Sequence, residues 1–391
     1  MKKKVLAVLL SAAMVMSLAA CGGGGGNDAG TDDAGSTADS GAATEDADTG
    51  SDDSSGGGDK GYSFEIIVKS FQSTYWQAAV QGIEQACGEL GVTANSNGPA
   101  NESDIADQVQ MIDDAIQKKP DGIGLAACDT NSVIDSLQKA LEAGIPVVCF
   151  DTGVDEAPEG SVLATVATDN EAAGAVAAEN MFPVIEEKVK AATTDKKVRI
   201  GEVNQDATAL NIQQRGKGFI DKMLELCTDA GKKVAVVGNE FYVNATEGAV
   251  AESEAEVIIE VGVPAQTTVD LASTEAQKIM SKDDTIAIFG SNQTTAEGVI
   301  TANQTLNKLA SDPAEGIIGV GFDAGTPQKE AIMNGQFIGS VTQSPLMMGY
   351  ECIYTLTDIA DGKDVSDLPM DGYWYSKDNM EDDNIAPNLY D

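Results

Sequence analysis

The segment IIVKSFQSTYWQAAVQGIEQACGEL (Ile66–Leu90) has the pattern of one strand, one loop and one helix. Ile66–Val68 is an apolar run of strand length. The apolar positions that follow at helical spacing are Ala79, Ile83, Ala86 and Leu90. Between them lies a polar, aromatic-rich loop, Lys69–Trp76. Because ligands of parallel α/β folds bind outside the carboxyl ends of the strands, this loop is predicted to form one wall of a ligand cleft.

The N-terminus has the features of an export signal. A basic cluster at Lys2–Lys4 precedes an apolar run at Val5–Ala13, which is too short for a comfortable membrane span. The sequence LAAC that ends at Cys21 resembles a bacterial lipobox. We therefore expect a signal peptide at 1–20 and lipidation of Cys21, so that the exported protein is held at the outer face of the cell membrane by a lipid anchor only. Ordinary signal cleavage beside an incidental cysteine is the alternative.

Residues 21–61 are predicted to be a disordered acidic tether. From Gly22 to Asp59 the chain contains no aromatic and no basic residue, so it has almost nothing to bury. Its carboxylates contribute to a formal net charge of −39. Such an acidic excess argues against nucleic-acid binding, because the phosphate backbone would be repelled.

The cysteines suggest neither a metal site nor a disulfide framework. Apart from Cys21 they are widely spaced, lie within apolar patterns and include no CxxC pair, and the sequence has no histidine. They are Cys87, Cys128, Cys149, Cys227 and Cys352. We expect buried free thiols, no cofactor and no bound metal.

From Tyr62 onward, strand and helix patterns alternate. The predicted strands are Ile66–Val68, Val92–Asn95, Gly122–Ala126, Pro146–Phe150, Leu163–Thr168, Val198–Val203, Val234–Val237, Val257–Val261, Ile286–Phe289, Ile317–Phe322 and Phe337–Val341. This alternation, over a length that suits two cores, predicts an α/β fold of two doubly wound parallel-sheet lobes. Several strands end in polar residues, namely Lys69, Asp151, Asn204, Asn292, Asp323 and Gln343. As a set they indicate a shared interlobe cleft, although any one could instead cap a helix.

Several motifs occur in the order typical of one known family. They are Lys69–Trp76, IPVVCFDTG (Ile145–Gly153), ATDNEAAG (Ala167–Gly174), QQRGKGF (Gln213–Phe219), IAIFGSNQTTAEG (Ile286–Gly298), VGFDAGTPQKEAIMNGQ (Val320–Gln336) and VTQSP (Val341–Pro345). In these the chain resembles the ribose-binding type of solute-binding protein, whose members deliver sugars to ABC importers.

The resemblance implies a type I periplasmic-binding-protein fold with a three-segment hinge. The N-terminal lobe would comprise 62–168 plus 344–371, and the C-terminal lobe 169–343 plus 372–391. A monomer would close on a small sugar or polyol by hinge motion and dock on ABC permease subunits.

The resemblance also implies a set of ligand-binding residues: Lys69, Ser73, Tyr75, Trp76, Asp151, Thr152, Gln213, Asn292, Asp323 and Gln343. Ionised carboxylates accept strong hydrogen bonds from neighbouring hydroxyls, which suits Asp151 and Asp323. An aromatic plate covers the apolar face of a sugar ring, which suits Trp76 with Tyr75.

Departures from the ribose pattern argue against ribose itself. Thr152 and Gln213 stand where ribose binders have arginine, with Arg215 two residues further on, and Lys69 stands where a small serine is usual. Lys69 could therefore replace the missing arginines as the positive centre. Together with Gly98-Pro99, it also resembles receptors for furanose-type autoinducers and deoxysugars. Residues 234–255 add about one strand-helix unit to the family pattern. The position of the family's third cleft aromatic would then fall near Thr267, so this chain is expected to lack that aromatic contact.

Other functions have weaker support. Without histidine, a G-x-S-x-G elbow, a Walker loop or HExxH, an enzyme is not expected, although Asp151 and Asp323 could form the carboxylate pair of a glycoside hydrolase. A transcription regulator with such lobes would carry a basic helix-turn-helix ahead of them, where this sequence has the signal-like segment and acidic tether. A receptor for a sensor kinase, or for autoinducer uptake, stays open beside the importer.

Overall fold

The computed structural model of the protein describes residues 60–390. The predicted signal peptide, Cys21 and nearly all of the predicted tether lie outside this range. Among residues 60–390, none of the helices combines the length and apolar character that a bilayer crossing requires.

The described chain alternates strands and helices almost throughout. The strands are β1 (Ser63–Ile67), β2 (Thr93–Asn97), β3 (Gly122–Leu125), β4 (Val147–Phe150), β5 (Ala164–Thr168), β6 (Val198–Val203), β7 (Val234–Gly238), β8 (Val257–Gly262), β9 (Thr285–Gly290), β10 (Ile318–Phe322), β11 (Phe337–Thr342), β12 (Leu368–Met370) and β13 (Tyr373–Tyr375). The helices are α1 (Thr74–Leu90), α2 (Ile105–Lys118), α3 (Ile134–Ala143), α4 (Asn170–Ala191), α5 (Leu210–Asp229), α6 (Glu240–Ala245), α7 (Val269–Met280), α8 (Gln293–Leu306), α9 (Thr326–Met333) and α10 (Pro345–Ala360).

These strands form two sheets. One has the order β12-β5-β4-β3-β1-β2 and is parallel throughout. The other has the order β13-β11-β10-β9-β6-β8-β7, and only its edge strand β13 runs antiparallel to its neighbour. The prediction of two doubly wound lobes is therefore confirmed. We call the parts built around the first and second sheets the N-lobe and the C-lobe.

The chain passes between the sheets three times. It leaves the N-lobe sheet after β5, returns between β11 and β12, and crosses again in the short link between Met370 and Tyr373. All three crossings lie at one end of the two sheets, as a hinge requires.

Each sheet is covered by helices on both faces, which explains why its interior strands are mostly apolar, whereas the edge strand β2 is polar and partly exposed. In β1, Phe64 and Ile66 pack into the core shared with α1 and α10, while Ile67 packs into the core under α2 and α3. The C-lobe likewise has one core against α4 and α5 and another against α7, α8 and α9.

The strands predicted from the sequence are all present, with ends that differ by a few residues. The sequence pattern did not reveal β12 and β13, which have three residues each and are too short to show a period. The segment 234–255 supplies the edge strand β7 and the short helix α6. Tyr242 of α6 is fully buried, and its hydroxyl donates to the carbonyl oxygen of Asp206 at 2.9 Å.

The five cysteines among the described residues are free thiols, and all but Cys87 are buried. Burial raises the pKa of Cys87 to about 11 and that of Cys149 to about 12. These thiols therefore stay protonated at neutral pH, where they act as small apolar side chains.

Candidate functional site

The carboxyl ends of strands from both lobes meet at a cleft. Most of the residues predicted for the site line a narrow cavity of about 20 Å³ there, namely Lys69, Ser73, Tyr75, Trp76, Asp151, Asn292, Asp323 and Gln343. Thr152 and Gln213 do not line it. The lining residues that the sequence did not predict are Glu102, Gln205, Asn211, Ile212, Arg215, Gln293 and Thr294.

Asp151 organises the N-lobe side of the cavity. It directly follows β4 at a φ of 62°, a left-handed conformation that aspartate tolerates. Tyr75 donates a short hydrogen bond to one carboxylate oxygen, and Thr152 donates to the other at 2.9 Å. Thr152 thus supports Asp151 from outside the cavity.

Lys69 forms a buried ion pair with Asp151. Its Nζ lies 3.2 Å from Oδ2 of Asp151, and both side chains are at most 4% exposed. Burial would lower the pKa of Lys69, but the carboxylates of Asp151, Glu102 and Asp206 outweigh it and raise that pKa above the usual value. Lys69 therefore carries a full positive charge in the site, in keeping with the positive centre expected from the sequence.

Asp323 organises the C-lobe side in a different way. It follows β10 at a φ of 70° and accepts hydrogen bonds from Gln343 Nε2 at 2.6 Å and from the backbone N–H of Gln293 at 2.9 Å. Burial raises the pKa of Asp323, although the positive charge of Arg215 and these hydrogen bonds oppose the rise. Gln343 also accepts from Thr168 at 2.7 Å, so it joins two of the crossings beside the cavity.

The aromatic residues form the N-lobe wall. Trp76 is 2% exposed and lies edge-on to Tyr75, with ring centroids 4.9 Å apart and an angle of 82°. The indole Nε1 donates to Glu102 at 2.8 Å, which fixes the ring orientation. Trp76 belongs to the N-lobe core and also lines the cavity.

Helix α5 presents Arg215 to the cavity instead of Gln213. Asn211 and Ile212 precede Arg215 by four and three residues and lie with it on one helix face, whereas Gln213 faces away and donates to the carbonyl oxygen of Ala207 at 2.7 Å. Arg215 is buried, donates to Asn170 at 2.8 Å and to the carbonyl oxygen of Ser291 at 2.9 Å, and stacks 3.6 Å above the ring of Phe322.

Close packing of α4 against α5 sets the depth of Arg215. A Cβ at Gly174 would come within 2.1 Å of the carbonyl oxygen of Arg215, and a Cβ at Gly218 within 2.1 Å of that of Glu171. The two helices approach this closely only because both positions are glycine.

Glu102 and Gln205 complete one side of the cavity. Glu102 lies in the loop before α2, accepts from Trp76, and accepts from Gln205 of the C-lobe at 2.8 Å. Gln205 in turn contacts the side-chain amide of Asn292, which also caps α8 by accepting from the N–H of Thr295 at 3.0 Å. No strand-end pattern points to Glu102, because it lies within a loop.

A wider groove of about 760 Å³ adjoins the cavity and shares Asp151 and Asn211 with it. Apart from Asp151, it contains none of the residues predicted for the site. Its acidic lining residues include Asp155, Glu159, Asp169, Glu171 and Asp367. Among the described residues, no three cysteine or carboxylate side chains cluster in a way that could hold a metal ion.

Comparisons with known proteins agree on one family. The model of the periplasmic binding protein domain matches residues 64–364. The D-allose-binding periplasmic protein of Escherichia coli (strain K12) is 24% identical over 318 residues, which span 79% of this chain and 87% of that protein.

Solved structures extend the similarity. An ABC transporter solute-binding protein from Agrobacterium vitis with bound D-fucose is 28% identical, with a TM-score of 0.68 over 84% of this chain and 100% of that one. A Brachyspira murdochii protein described as an ABC transporter, LacI family transcriptional regulator, is also 28% identical, with a TM-score of 0.70 over 85% of this chain and 99% of that one.

Proposed function

The chain belongs to the periplasmic binding protein family, and on that premise we propose that it captures a monosaccharide-like ligand between its lobes and delivers it to an ABC permease. The observation that carries the proposal is the convergence of Asp151, Asp323 and Trp76 on one interlobe cavity. Sugar-binding relatives of the same fold make a transport role more consistent than catalysis.

The cavity offers the groups that sugar recognition needs. Asp151 and Asp323 face it from opposite lobes and would accept hydrogen bonds from hydroxyls on opposite sides of a ring. Gln343 and Asn292 offer amides for further hydroxyls, and Trp76 would cover an apolar C–H face. Lys69 would hold the charge of Asp151 in place while the ring binds.

Entry of a ligand requires the lobes to separate. A cavity of about 20 Å³ is far smaller than a typical ligand pocket, which holds several hundred Å³. Polar contacts span the cleft, including the bond from Gln205 to Glu102 and one of 3.0 Å from Gln293 Nε2 to Thr74. Hinge motion at the three crossings would break these bonds, and a bound sugar would replace some of them.

The predicted lipid anchor at Cys21 and the acidic tether fit this role. An anchored, flexibly tethered binding protein would stay close to a permease in the same membrane while its lobes sample the exterior. Expression with and without Cys21→Ser, followed by membrane fractionation, tests the anchor. Release of the variant into the soluble fraction is the expected result, and equal membrane association of both proteins would contradict it.

A thermal-shift screen tests the binding proposal. The probes are D-allose, D-fucose, D-ribose and a polyol such as ribitol. A ligand present at a hundred times its Kd adds about 2.7 kcal/mol to the stability of the folded protein, which raises Tm by several degrees. Trp76→Ala and Asp323→Ala should abolish or strongly reduce that rise.

Trp374→Ala serves as the control, because this second tryptophan lies on β13 and does not line the cavity. It should lower Tm and keep the ligand-induced rise. A full rise in both the Trp76 and Asp323 variants would show that the ligand binds elsewhere.

A further inference from the structure

The segment Ile385–Tyr390 lies outside both sheets and does not line the cavity, but it contacts residues beside it. Ile385 is 4% exposed and anchors the segment in the C-lobe core beside α8 and α9. Its carboxyl-terminal end reaches residues on both sides of the cleft. The sequence placed this segment in the C-terminal lobe and indicated no role for it in binding.

Asn388 fixes the crossing that carries Gln343. The carbonyl oxygen of Asn388 accepts a hydrogen bond from Thr342 Oγ1 at 2.7 Å, and its side-chain oxygen accepts a short one from Ser344. Gln343 lies between these two contacts and extends to Asp323 and Thr168. Asn388 therefore restrains the backbone on each side of a cavity-lining residue.

Tyr390 connects the residues that hold the two carboxylates. Its hydroxyl accepts from the backbone N–H of Ala324 at 3.2 Å, directly after Asp323. Its ring lies edge-on to Tyr75, the residue that donates to Asp151, with centroids 5.9 Å apart and an angle of 76°. Tyr390 packs against the N-lobe core that contains Trp76 and also against the C-lobe core that contains Ala324.

We propose that residues 385–390 form an interlobe clasp in which Tyr390 is a positioning residue: it bridges Tyr75 and Ala324, favours the closed lobes and so increases affinity for the ligand. The ring contact between Tyr390 and Tyr75 crosses the cleft, so separation of the lobes must break it. The clasp therefore acts on the dissociation rate, because the closed complex cannot open until this ring contact is broken. This inference rests on the proposed function.

Binding kinetics of three variants test the clasp, with the sugar that gives the largest thermal shift as the probe. An aromatic edge-to-face pair contributes enough that Tyr390→Ala should weaken affinity about three- to tenfold, mainly through a faster dissociation rate. Tyr390→Phe keeps the ring contact and loses only the hydroxyl acceptor for Ala324, so it should recover most of the affinity.

Tyr350→Ala is the matched control. Tyr350 is also a partly buried tyrosine, stacked on Tyr354 with centroids 4.6 Å apart and bonded to Glu89 at 2.6 Å, but both of these partners belong to the N-lobe. It should cost stability and leave the dissociation rate unchanged. Equal dissociation rates for wild type and Tyr390→Ala, or equal increases in Tyr390→Ala and Tyr350→Ala, would overturn the clasp.

Hydrogen exchange without any sugar separates the clasp from the proposed function. In Tyr390→Ala the amide of Ala324 and the amides around Tyr75 should both exchange faster than in wild type. Faster exchange at Ala324 alone would place the segment in one lobe and overturn the clasp. Faster exchange at both, in a protein that binds none of the sugars, would support the clasp and contradict the proposed function.

Discussion

Asp151 and Asp323 occupy corresponding places in the two lobes, yet their charges are stabilised by different means. Each follows a central strand of its sheet in a left-handed conformation, and each has its N–H bonded to the neighbouring strand. Asp151 is balanced by a cation in direct contact, Lys69. Asp323 is held by neutral donors, Gln343 and the N–H of Gln293, with the charge of Arg215 acting from a distance.

The difference shows that the same residue at corresponding strand ends can contribute differently to stability, depending on which groups balance its charge. Removal of the charge at 151 would leave the buried Lys69 without a carboxylate in direct contact, whereas removal at 323 would leave only neutral donors to rearrange. Arg215 keeps Asn170, the Ser291 carbonyl oxygen and Phe322 as partners in either case.

The largest expected effect is on stability in Asp151→Asn. Asparagine tolerates a left-handed backbone as well as aspartate does, so the substitution keeps the backbone conformation, removes the charge and replaces one acceptor oxygen by an amide donor. Breaking a buried ion pair costs about 3 kcal/mol or more, because the remaining charge is left uncompensated. Asp323→Asn should cost about 1 kcal/mol, the size of one lost hydrogen bond. Urea unfolding measures the stability of both variants. A larger loss of stability in Asp323→Asn than in Asp151→Asn would contradict this comparison.

A third buried carboxylate, Glu202, differs from both aspartates because it has neither a cation nor a hydrogen-bond donor beside it among the described residues. Glu202 on β6 is fully buried, and within residues 60–390 neither of its oxygens has a hydrogen-bond partner. Burial raises its pKa well above 4.5. As the pH rises past about 4.5, the unfolded chain releases this proton while the folded chain keeps it, so Glu202 lowers stability increasingly toward neutral pH.

We therefore expect Glu202→Gln to be more stable than wild type by about 1–3 kcal/mol at pH 8, and by much less at pH 4.5. Urea unfolding at the two pH values measures the difference. Glu260→Gln is the control, since Glu260 pairs with Arg199 and Lys282 at 2.6 Å, and it should not stabilise. An equal gain for Glu202→Gln at both pH values would mean that Glu202 is not protonated in the folded protein.

The sequence predicted the sheets and much of the cavity for the same physical reason. Strands buried on both faces are mostly apolar, so their ends are visible where polar residues begin, and Lys69, Asp151 and Asp323 occupy those ends. A residue on a helix or a loop gives no such signal. The directions of the Asn211 and Arg215 side chains depend on how α5 is rotated about its axis, and that of Glu102 depends on the path of its loop. Tertiary packing sets both, and the sequence pattern does not show them.

Two residues of α5 give a matched pair of variants, because Asn211 faces the cavity and Gln213 faces away from it. Asn211 accepts from Lys69 at 3.1 Å and donates to Asp151 at 3.0 Å, which makes it a C-lobe contact of the N-lobe ion pair. Asn211→Ala should weaken ligand affinity about tenfold, because closure would no longer form two hydrogen bonds to charged groups. Gln213→Ala should change it less than about twofold. Calorimetric titration measures the ligand affinity of both variants. A greater loss of affinity in Gln213→Ala than in Asn211→Ala would support Gln213, the position implied by the family resemblance.

The smallest expected effect is a pH dependence of ligand affinity, which distinguishes titration of Glu102 in the N-lobe from titration of Asp323 in the C-lobe. Burial raises the pKa of Glu102, although Lys69, Trp76 and Gln205 oppose the rise, and burial also raises that of Asp323. As the pH falls toward these raised values, a protonated Glu102 can no longer accept from both Trp76 and Gln205, so affinity should fall about threefold.

Trp76 fluorescence measures this dependence in a Trp374→Phe background, where it is the sole tryptophan. Glu102→Gln should flatten the profile, because amide hydrogen bonding does not titrate in this range. An unchanged profile in Glu102→Gln would assign the titration to Asp323 instead. The C-lobe carboxylate, which lacks a direct cation, would then be the group whose charge limits binding.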